Sequence, residues 1–288
     1  MNALLGLGVT VCMVFGGYML AGGKMDIIMH ALPFEMMMIG GAAVGGFVAA
    51  NDMSTIRHTI SDIVSVFKGP KWKKGDYEDL LCLMHELLSV LKKSPVAIEA
   101  HIEAPHESDI FARYPRILKD HYAIELICDT IRSMIMNFDN VHQVEELLQK
   151  QLDSLLADQV HGAHALQTVA DALPALGIVA AVLGVIKTMA SIDRPPEVLG
   201  AMIGGALVGT FLGVFLAYGI VGPFASKVKH LRKEEHVFYT LIVEVLVSNL
   251  HKNPIKICLE VARRHAPARI RPSFDDIDKA LKNMKQAA

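Results

Sequence analysis

Sequence motifs for enzymatic or metal chemistry are absent from this chain. The four cysteines, Cys12, Cys82, Cys128 and Cys258, lack the spacing of a metal site or of a disulfide framework. No nucleophile motif, glycine-rich phosphate loop or set of metal ligands is present. The formal net charge of −2 gives no reason to expect nucleic acid as a partner. We therefore expect a protein that is not an enzyme and that has neither a metal site nor a cofactor.

Charged residues are also few. They make up 20% of the 288 residues, whereas 52% are hydrophobic and the mean hydropathy is positive. This composition excludes a disordered chain and is unusually apolar for a soluble protein. Strand-like alternation of useful length is lacking too. The sequence predicts an all-α integral membrane protein.

Four apolar segments are candidates for transmembrane helices, because a bilayer core needs about 20 apolar residues per spanning helix. They cover residues 1–23, 31–50, 172–190 and 198–226. The last two are joined by the short polar turn Ser191–Glu197. This pair predicts a helical hairpin in the membrane.

The domain organisation follows from these four segments. Residues 1–50 hold transmembrane helices 1 and 2, residues 51–170 a cytoplasmic helical insert, residues 171–223 transmembrane helices 3 and 4, and residues 224–288 a cytoplasmic helical tail. Of the 28 Lys and Arg residues, 12 lie in the insert and 13 follow Pro223, whereas the short loops carry almost none. The positive-inside rule therefore places the insert and the tail in the cytosol.

Helices with one buried stripe are predicted in the insert, where apolar residues recur at spacings of three and four. The stripes are Leu80, Met84, Leu87 and Leu91; Ile124, Ile127, Ile131 and Ile135; and Val144, Leu147, Leu148, Leu152 and Leu155. In the tail, Val237–Leu250 is too short to span a bilayer and predicts packed core.

Four lysines surround the only tryptophan, Trp72, in the segment Lys68–Lys74. Such a segment suits the headgroup zone of an anionic leaflet. A solvated connector is the alternative.

Small residues recur every four positions in the fourth predicted span, at Ala201, Gly205, Gly209, Gly213 and Ala217. In lipid no hydrophobic force drives helices together, so close backbone approach through small residues is a usual source of association. The spacing predicts a tight helical hairpin.

Two prolines and one threonine mark this hairpin. Pro174 is expected in the first turn of its helix, where a missing N–H costs nothing, and Pro223 is expected to close the second helix. The two prolines either mark helix ends or form a paired hinge that transmits motion to the soluble part, and their spacing is compatible with both interpretations. Thr210 is the hydroxyl in the middle of the fourth span, and such a threonine usually bonds its own i−4 carbonyl.

Ionisable residues are absent from the middle of the predicted spans. Glu35, close to the start of the second span, is expected to be an interfacial helix-start acid, with an ion-handling carboxylate or a buried proton carrier as alternatives. A proton pathway normally needs an ionisable relay. The chain therefore either conducts nothing or forms the wall of a pathway whose carboxylate comes from another subunit.

A family resemblance is carried by the segments Phe15–Tyr18, Glu107–Leu118, Asp171–Val185, Val208–Gly219 and Arg271–Phe274. Together these segments resemble the flagellar motor stator A subunit family, MotA, within the MotA/TolQ/ExbB superfamily. The resemblance covers nearly the whole chain. It implies a multi-pass protein of the bacterial inner membrane with four spans.

The resemblance also implies partners and an ion. The A subunits form a homo-oligomeric ring, expected to be a pentamer, around a dimer of a MotB-like B subunit that supplies the ion-binding aspartate. The cytosolic loop pushes on the rotor protein FliG. The transported ion is expected to be the proton, without a cofactor.

By position, the resemblance assigns Pro174 and Pro223 as coupling prolines and Thr210 as a pore-facing residue. Ala181 stands where sodium-driven relatives tend to have a second threonine, so an apolar residue there favours protons.

The resemblance also assigns rotor-facing charges. In this family a basic residue and a glutamate of the cytosolic loop face the rotor. Glu99 matches the glutamate, and either Lys92 or Lys93 matches the basic residue, because the local spacing fits both lysines. Two other functions remain as alternatives: an ExbB-like or TolQ-like energiser of outer-membrane transport, which has three spans, and a secondary transporter.

Overall fold

Helices form the regular structure of the chain. The computed structural model describes residues 2–136 and 141–287, and no β-strand occurs within these two ranges. The helices are α1 (Asn2–Leu20), α2 (Met25–Ala50), α3 (Met53–Lys68), α4 (Lys74–Lys93), α5 (Pro95–Glu103), α6 (Asp109–Ala112), α7 (Pro115–Leu118), α8 (His121–Ile135), α9 (Val141–Met189), α10 (Pro196–Phe215), α11 (Gly222–Leu250), α12 (Ile255–His265) and α13 (Phe274–Ala287). A π-helical segment, Leu216–Val221, joins α10 to α11. The all-α prediction is confirmed.

The chain divides into two compact units. The first consists of Met1–Gly69 and Gln159–Leu231, and the second of Pro70–Asp158 and Arg232–Ala288. Helices α9 and α11 contribute residues to both. Residues 51–69 and 159–170, which the sequence assigns to the insert, belong to the first unit.

The first unit is rich in apolar surface. Large side chains such as Met37, Ile186 and Leu207 are more than half exposed, which in water would be an unfavourable surface of unusual extent. Three helical stretches are long and apolar enough to cross a membrane: Met25–Ala50, Val141–Met189 and Pro196–Leu250. The apolar part of α1, Leu4–Leu20, is shorter than the other three.

The second unit has a conventional buried core. Leu80, Met84 and Leu87 of α4 are fully buried, and the Ile124 and Val144 stripes bury most of their members in the same cluster. Phe238 and Leu246 of α11 join them there. The predicted amphipathic helices and the predicted core of Val237–Leu250 are confirmed.

Trp72 belongs to that core, so the prediction of a headgroup anchor is wrong. Its ring is 2% exposed and stacks on Phe238, with ring centroids 3.9 Å apart and an angle of 9° between the planes. The neighbouring lysines form ion pairs, Lys71 with the buried Asp120 and Lys74 with Asp276. Burial of a large aromatic surface in the second unit outweighs the interfacial preference of tryptophan.

Helix α2 begins at Met25, six residues before the predicted span, because the polar link Lys24–His30 is largely helical. Glu35 is consequently an interior residue of a 26-residue helix and is only 5% exposed. The prediction that Glu35 lies at the start of its helix is therefore wrong.

Neither proline of the hairpin punctuates a helix as predicted. Pro174 lies in the interior of α9, which starts at Val141, so it is not in a first turn. Pro223 is the second residue of α11 and directly follows the π-helical segment. The helical path continues through it instead of closing there.

Candidate functional site

Glycines bring α9 and α10 into backbone contact. A Cβ atom built on Gly177 would lie 2.8 Å from the carbonyl oxygen of Gly209 and 3.0 Å from the Cα atom of Gly213. A Cβ on Gly184 would lie 2.6 Å from the Cβ of Ala206. Real Cβ atoms do not approach so closely, so the crossing requires glycine at these places. The predicted close packing of the hairpin is confirmed at Gly209 and Gly213.

The other members of the predicted ridge have different neighbours. Gly205 approaches Ala31 of α2, and Ala201 is exposed beside a cavity. The ridge therefore serves two contacts, one with α9 and one with α2.

The two predicted pathway residues lie next to this crossing. The backbone nitrogen of Ala181 is 3.1 Å from the Cβ position of Gly209, and Thr210 follows Gly209 directly. Both side chains are partly buried. The Thr210 hydroxyl forms no hydrogen bond within the described ranges, whereas Thr188 donates to the carbonyl of Gly184 at 2.9 Å. The usual back-bonding of a helical threonine is thus absent at Thr210.

Pro174 is adjacent to the same crossing. A Cβ on Gly213 would lie 2.6 Å from the carbonyl oxygen of Leu173, the residue before this proline. Because proline has no N–H, Pro174 cannot donate to the carbonyl of Ala170 four residues earlier.

Pro223 is accommodated by a widened helical turn. The N–H of Gly222 donates to the carbonyl of Ala217, five residues earlier, which is the π-helical pattern. Pro223 itself is exposed, and the segment before it is π-helical instead of α-helical. The two predicted coupling prolines therefore occupy a helix crossing and a π-helical transition, respectively.

Glu35 is a site residue that the sequence prediction placed elsewhere. Its Oε2 atom is buried without a hydrogen-bond partner among the described residues. The same atom lies 2.6 Å from the Cβ position of Gly209, and its Cδ atom 3.2 Å from it. The missing side chain of Gly209 therefore makes room for the carboxyl group. Extending the apolar pattern of α2 back through Met25–His30 would have revealed an interior position.

A cavity of about 570 Å³ adjoins this carboxyl group between α2, α9 and α10. Most of its lining is apolar. Its polar lining consists of Asp26, His30, Glu35, Lys187 and Thr188.

The predicted rotor-facing residues lie in the second unit. Lys92 and Lys93 end α4, and Glu99 lies on α5. All three side chains are exposed, and no ion pair involves them within the described ranges. Ile98 and Ile102 anchor α5 in the core, so the charged residues sit on a fixed support.

The Glu107–Leu118 segment is joined to helix α4 by hydrogen bonds and ion pairs. The hydroxyl of Tyr114 donates to Glu86 at 2.8 Å, and Arg113 pairs with Glu86 at 2.9 Å. Burial and the neighbouring carboxylate raise the pKa of Tyr114, which keeps its hydroxyl protonated as a donor. Arg116 pairs with the buried Asp76 at 2.9 Å.

The Arg271–Phe274 segment is likewise structural. Arg271 donates to the carbonyl of Ala266 at 2.9 Å, and Arg263 donates to that of Pro272 at 2.9 Å. Ser273 and Asp276 exchange hydrogen bonds of 3.1 Å at the start of α13, the pattern of a capping box.

Within residues 2–136 and 141–287, no group of three His, Cys, Asp or Glu residues could hold a metal.

Comparisons with known proteins cover nearly the whole chain. Residues 4–95 match the family described as motility protein A N-terminal, and residues 122–239 match the MotA/TolQ/ExbB proton channel family. Motility protein A of Salmonella typhimurium is 37% identical over 99% of this chain and 98% of its own length.

Solved structures with the same fold include "Structure of C. jejuni MotAB", with a TM-score of 0.73, 17% identity and coverage of 95% of this chain and 98% of that one. The flagellar MotAB stator complex from Bacillus subtilis has a TM-score of 0.71 and 22% identity, covering 93% of this chain and 97% of that one.

Proposed function

This chain belongs to the motility protein A family, and on that premise we propose that it is the A subunit of a flagellar motor stator, which converts proton flow into torque. The observation that carries the proposal is the full-length similarity to motility protein A. The glycine crossing of α9 and α10 supports it, because that crossing lies beside Ala181 and Thr210.

The proposed topology has four spans: α1, α2, the end of α9 and α10. The second unit, which includes α12 and α13, then lies in the cytosol, as the distribution of Lys and Arg favours. The membrane is proposed to be the bacterial inner membrane.

The proposed partner is a MotB-like B subunit whose aspartate binds the proton. The Bacillus subtilis structure with this fold is a MotAB stator complex. A homo-oligomeric ring of this chain, proposed to be a pentamer, would surround the B-subunit dimer with Thr210 and Ala181 facing the pathway. The proton is proposed as the transported ion, without a cofactor or catalytic activity.

The energy available suits such a mechanism. One charge that crosses the membrane potential releases about 2.3 kcal/mol per 100 mV. At about 1.4 kcal/mol per tenfold change, this biases a two-state element about fiftyfold. Surface ion pairs are worth about 0–1 kcal/mol each, so contacts of Lys92, Lys93 and Glu99 with FliG can form and break at each step.

Co-purification from the native membrane tests this function. The full chain should bring down a protein with one N-terminal span that contains a single aspartate, and proton-driven swimming should require both proteins. The proposal would be refuted if the purified chain alone, without the B subunit, translocated protons across vesicle membranes. The carboxylate of the pathway would then not have to come from a partner.

One observation favours a second candidate, an ExbB-like or TolQ-like energiser with three spans. Three helical stretches meet the length and hydropathy of a span, and α1 is the shorter one. Labelling of Cys12 decides between the two, because Cys82, Cys128 and Cys258 are buried while Cys12 is exposed on α1. Protection of Cys12 from a membrane-impermeant maleimide until detergent is added supports four spans, and immediate labelling supports three.

A further inference from the structure

Glu35 and Gln159 are the residues of the first unit, within the described ranges, whose buried side-chain oxygen has no hydrogen-bond partner, and of the two only Glu35 is a carboxylate. Thr59 and Thr188 each donate to a backbone carbonyl, but the Oε2 atom of Glu35 has no hydrogen-bond partner in the part of the chain that the structure describes. A buried carboxylate in this situation is costly to keep ionised. Binding of one proton removes the charge and therefore lowers that cost.

The surroundings of Glu35 offer access without a fixed counter-ion. Among the residues that line the adjoining cavity, Asp26 and His30 on α2 and Lys187 on α9 are titratable. The lining residues of α10, which are Ala201, Met202, Gly205 and Ala206, carry no titratable group. No ion pair joins Glu35 to any charged residue within the described ranges.

The cavity leads from the surface to the carboxyl group. Asp26 and His30 are exposed, whereas Glu35 is buried, and all three line the same space. The volume of about 570 Å³ far exceeds the approximately 30 Å³ that one water molecule occupies in the liquid. Although most of the lining is apolar, Asp26, His30 and Glu35 supply polar groups that can bind water along one side of this space.

The carboxyl group also adjoins the wall that the proposed function assigns to the proton pathway. Its Oε2 atom lies 2.6 Å from the Cβ position of Gly209, and the Ala181 nitrogen lies 3.1 Å from that same position. Thr210 is the next residue of α10. Glu35 therefore contacts the wall from the side of α2.

We propose that Glu35 is a proton-binding site of this chain itself, loaded through the cavity lined by Asp26 and His30. A hydronium ion in the cavity gives its proton to the carboxylate, which leaves water and a neutral carboxylic acid. The ion is a proton because one carboxyl group suffices to bind it, whereas a sodium ion needs several oxygen ligands. This inference rests on the proposed function for the use of the site in proton flow.

The experiment is chemical labelling of the full chain, with its co-purified companion, in lipid vesicles. An apolar carbodiimide adds to protonated carboxyl groups, and mass spectrometry locates the adduct. We expect an adduct on Glu35 whose rate of formation falls at least tenfold from the most acidic to the most alkaline pH tested. Sodium at constant ionic strength should leave this rate unchanged.

Two variants provide the controls. Glu35→Gln should lose the adduct at this position and retain co-purification, whereas Glu197→Gln, which changes an exposed carboxylate of the first turn of α10, should leave labelling of Glu35 unchanged. Should Glu35→Gln fail to assemble, the pH dependence of labelling in the wild-type protein still decides.

Three results would overturn the proposal: no adduct on Glu35 at any pH, an adduct whose rate is independent of pH, or protection by sodium but not by potassium. These failures differ from failure of the proposed function. Loss of the companion in co-purification would remove the stator role, whereas an unlabelled Glu35 in a complex that supports swimming would remove only the site proposed here.

Discussion

At the scale of single residues, glycines of the same two helices differ in what surrounds them. A Cβ on Gly177 meets the backbone of Gly209 and Gly213, which cannot move aside as a flexible side chain could. A Cβ on Gly200 meets nothing within 4 Å. Position in the crossing, and not glycine content, therefore determines sensitivity to substitution.

We expect Gly177→Ala to destabilise the purified chain by about 1–3 kcal/mol, the usual cost of overpacking. Gly200→Ala should be neutral or slightly stabilising, because alanine is the better helix former. Thermal unfolding of both variants in the same detergent measures the difference. Equal melting temperatures would show that the close approach of α9 and α10 is not required.

A second residue-scale prediction concerns acid stability of the second unit. Hydrogen bonds from Arg263 and Arg264 lower the pKa of Glu260 from 4.5 to about 2. Because the folded-state pKa is the lower one, ionised Glu260 stabilises the fold at pH values above its ordinary pKa, and this stabilisation is lost as the pH falls through about 2.

Glu260→Gln should therefore lower stability at pH 7 by less than about 1 kcal/mol, the range of solvent-accessible ion pairs. Its difference from wild type should shrink as the pH approaches 2. Denaturant unfolding of the full chain at several pH values measures this. A difference that stays constant with pH would contradict the assignment to Glu260.

At the scale of helices, the two prolines lie where a regular helix is perturbed, one at the crossing with Gly213 and one after the π-helical segment. We expect Pro174→Ala and Pro223→Ala to insert and to co-purify with the companion but to abolish swimming. Proline removal favours helix formation, so assembly should survive.

Pro196→Ala is the matched control for these two variants. Pro196 is the first residue of α10, where proline only starts a helix, and swimming should persist. Swimming speed and co-purification are measured in parallel. Loss of membrane insertion in Pro174→Ala or Pro223→Ala would refute the coupling role.

Sequence reasoning succeeded where a periodic pattern carries the signal. The stripe with Leu80 and Leu87 and the glycine spacing in α10 both reflect a helical repeat that packing then uses. It failed at Glu35, Trp72 and Pro174 because each depends on where a helix begins or on what a distant segment contributes. Trp72 is buried by Phe238, more than 150 residues away, and no local pattern reveals that contact.

At the scale of the whole molecule, Lys92, Lys93 and Glu99 are exposed residues of the second unit that form no ion pair within the described ranges, so we expect changes at these positions to leave its stability nearly unchanged. Lys92→Glu, Lys93→Glu and Glu99→Lys should each reduce torque, and a double lysine reversal should reduce swimming speed to less than half. The free energy of unfolding should change by no more than about 0.5 kcal/mol, as is usual for such surface positions. Speed in cells and unfolding of the purified chain are the two measurements.

Lys119→Glu is the control for these reversals, because Lys119 is also an exposed lysine of the second unit and directly follows the short helix α7. It should leave swimming unchanged. A similar loss of speed in Lys119→Glu would point to net charge in place of a specific rotor contact.

The π-helical segment Leu216–Val221 also determines where one residue could be deleted without changing the rotation of one flanking helix relative to the other. A π-helical turn contains about one residue more than an α-helical turn, and one residue corresponds to a rotation of about 100° around an α-helix. Deleting a single residue inside this segment would keep both flanking helices in phase. The same deletion between residues 198 and 213 would rotate the preceding part of the helix by about 100° relative to its neighbours. We therefore expect a deletion in Leu216–Val221 to lower the melting temperature of the purified chain less than a deletion in α10 does.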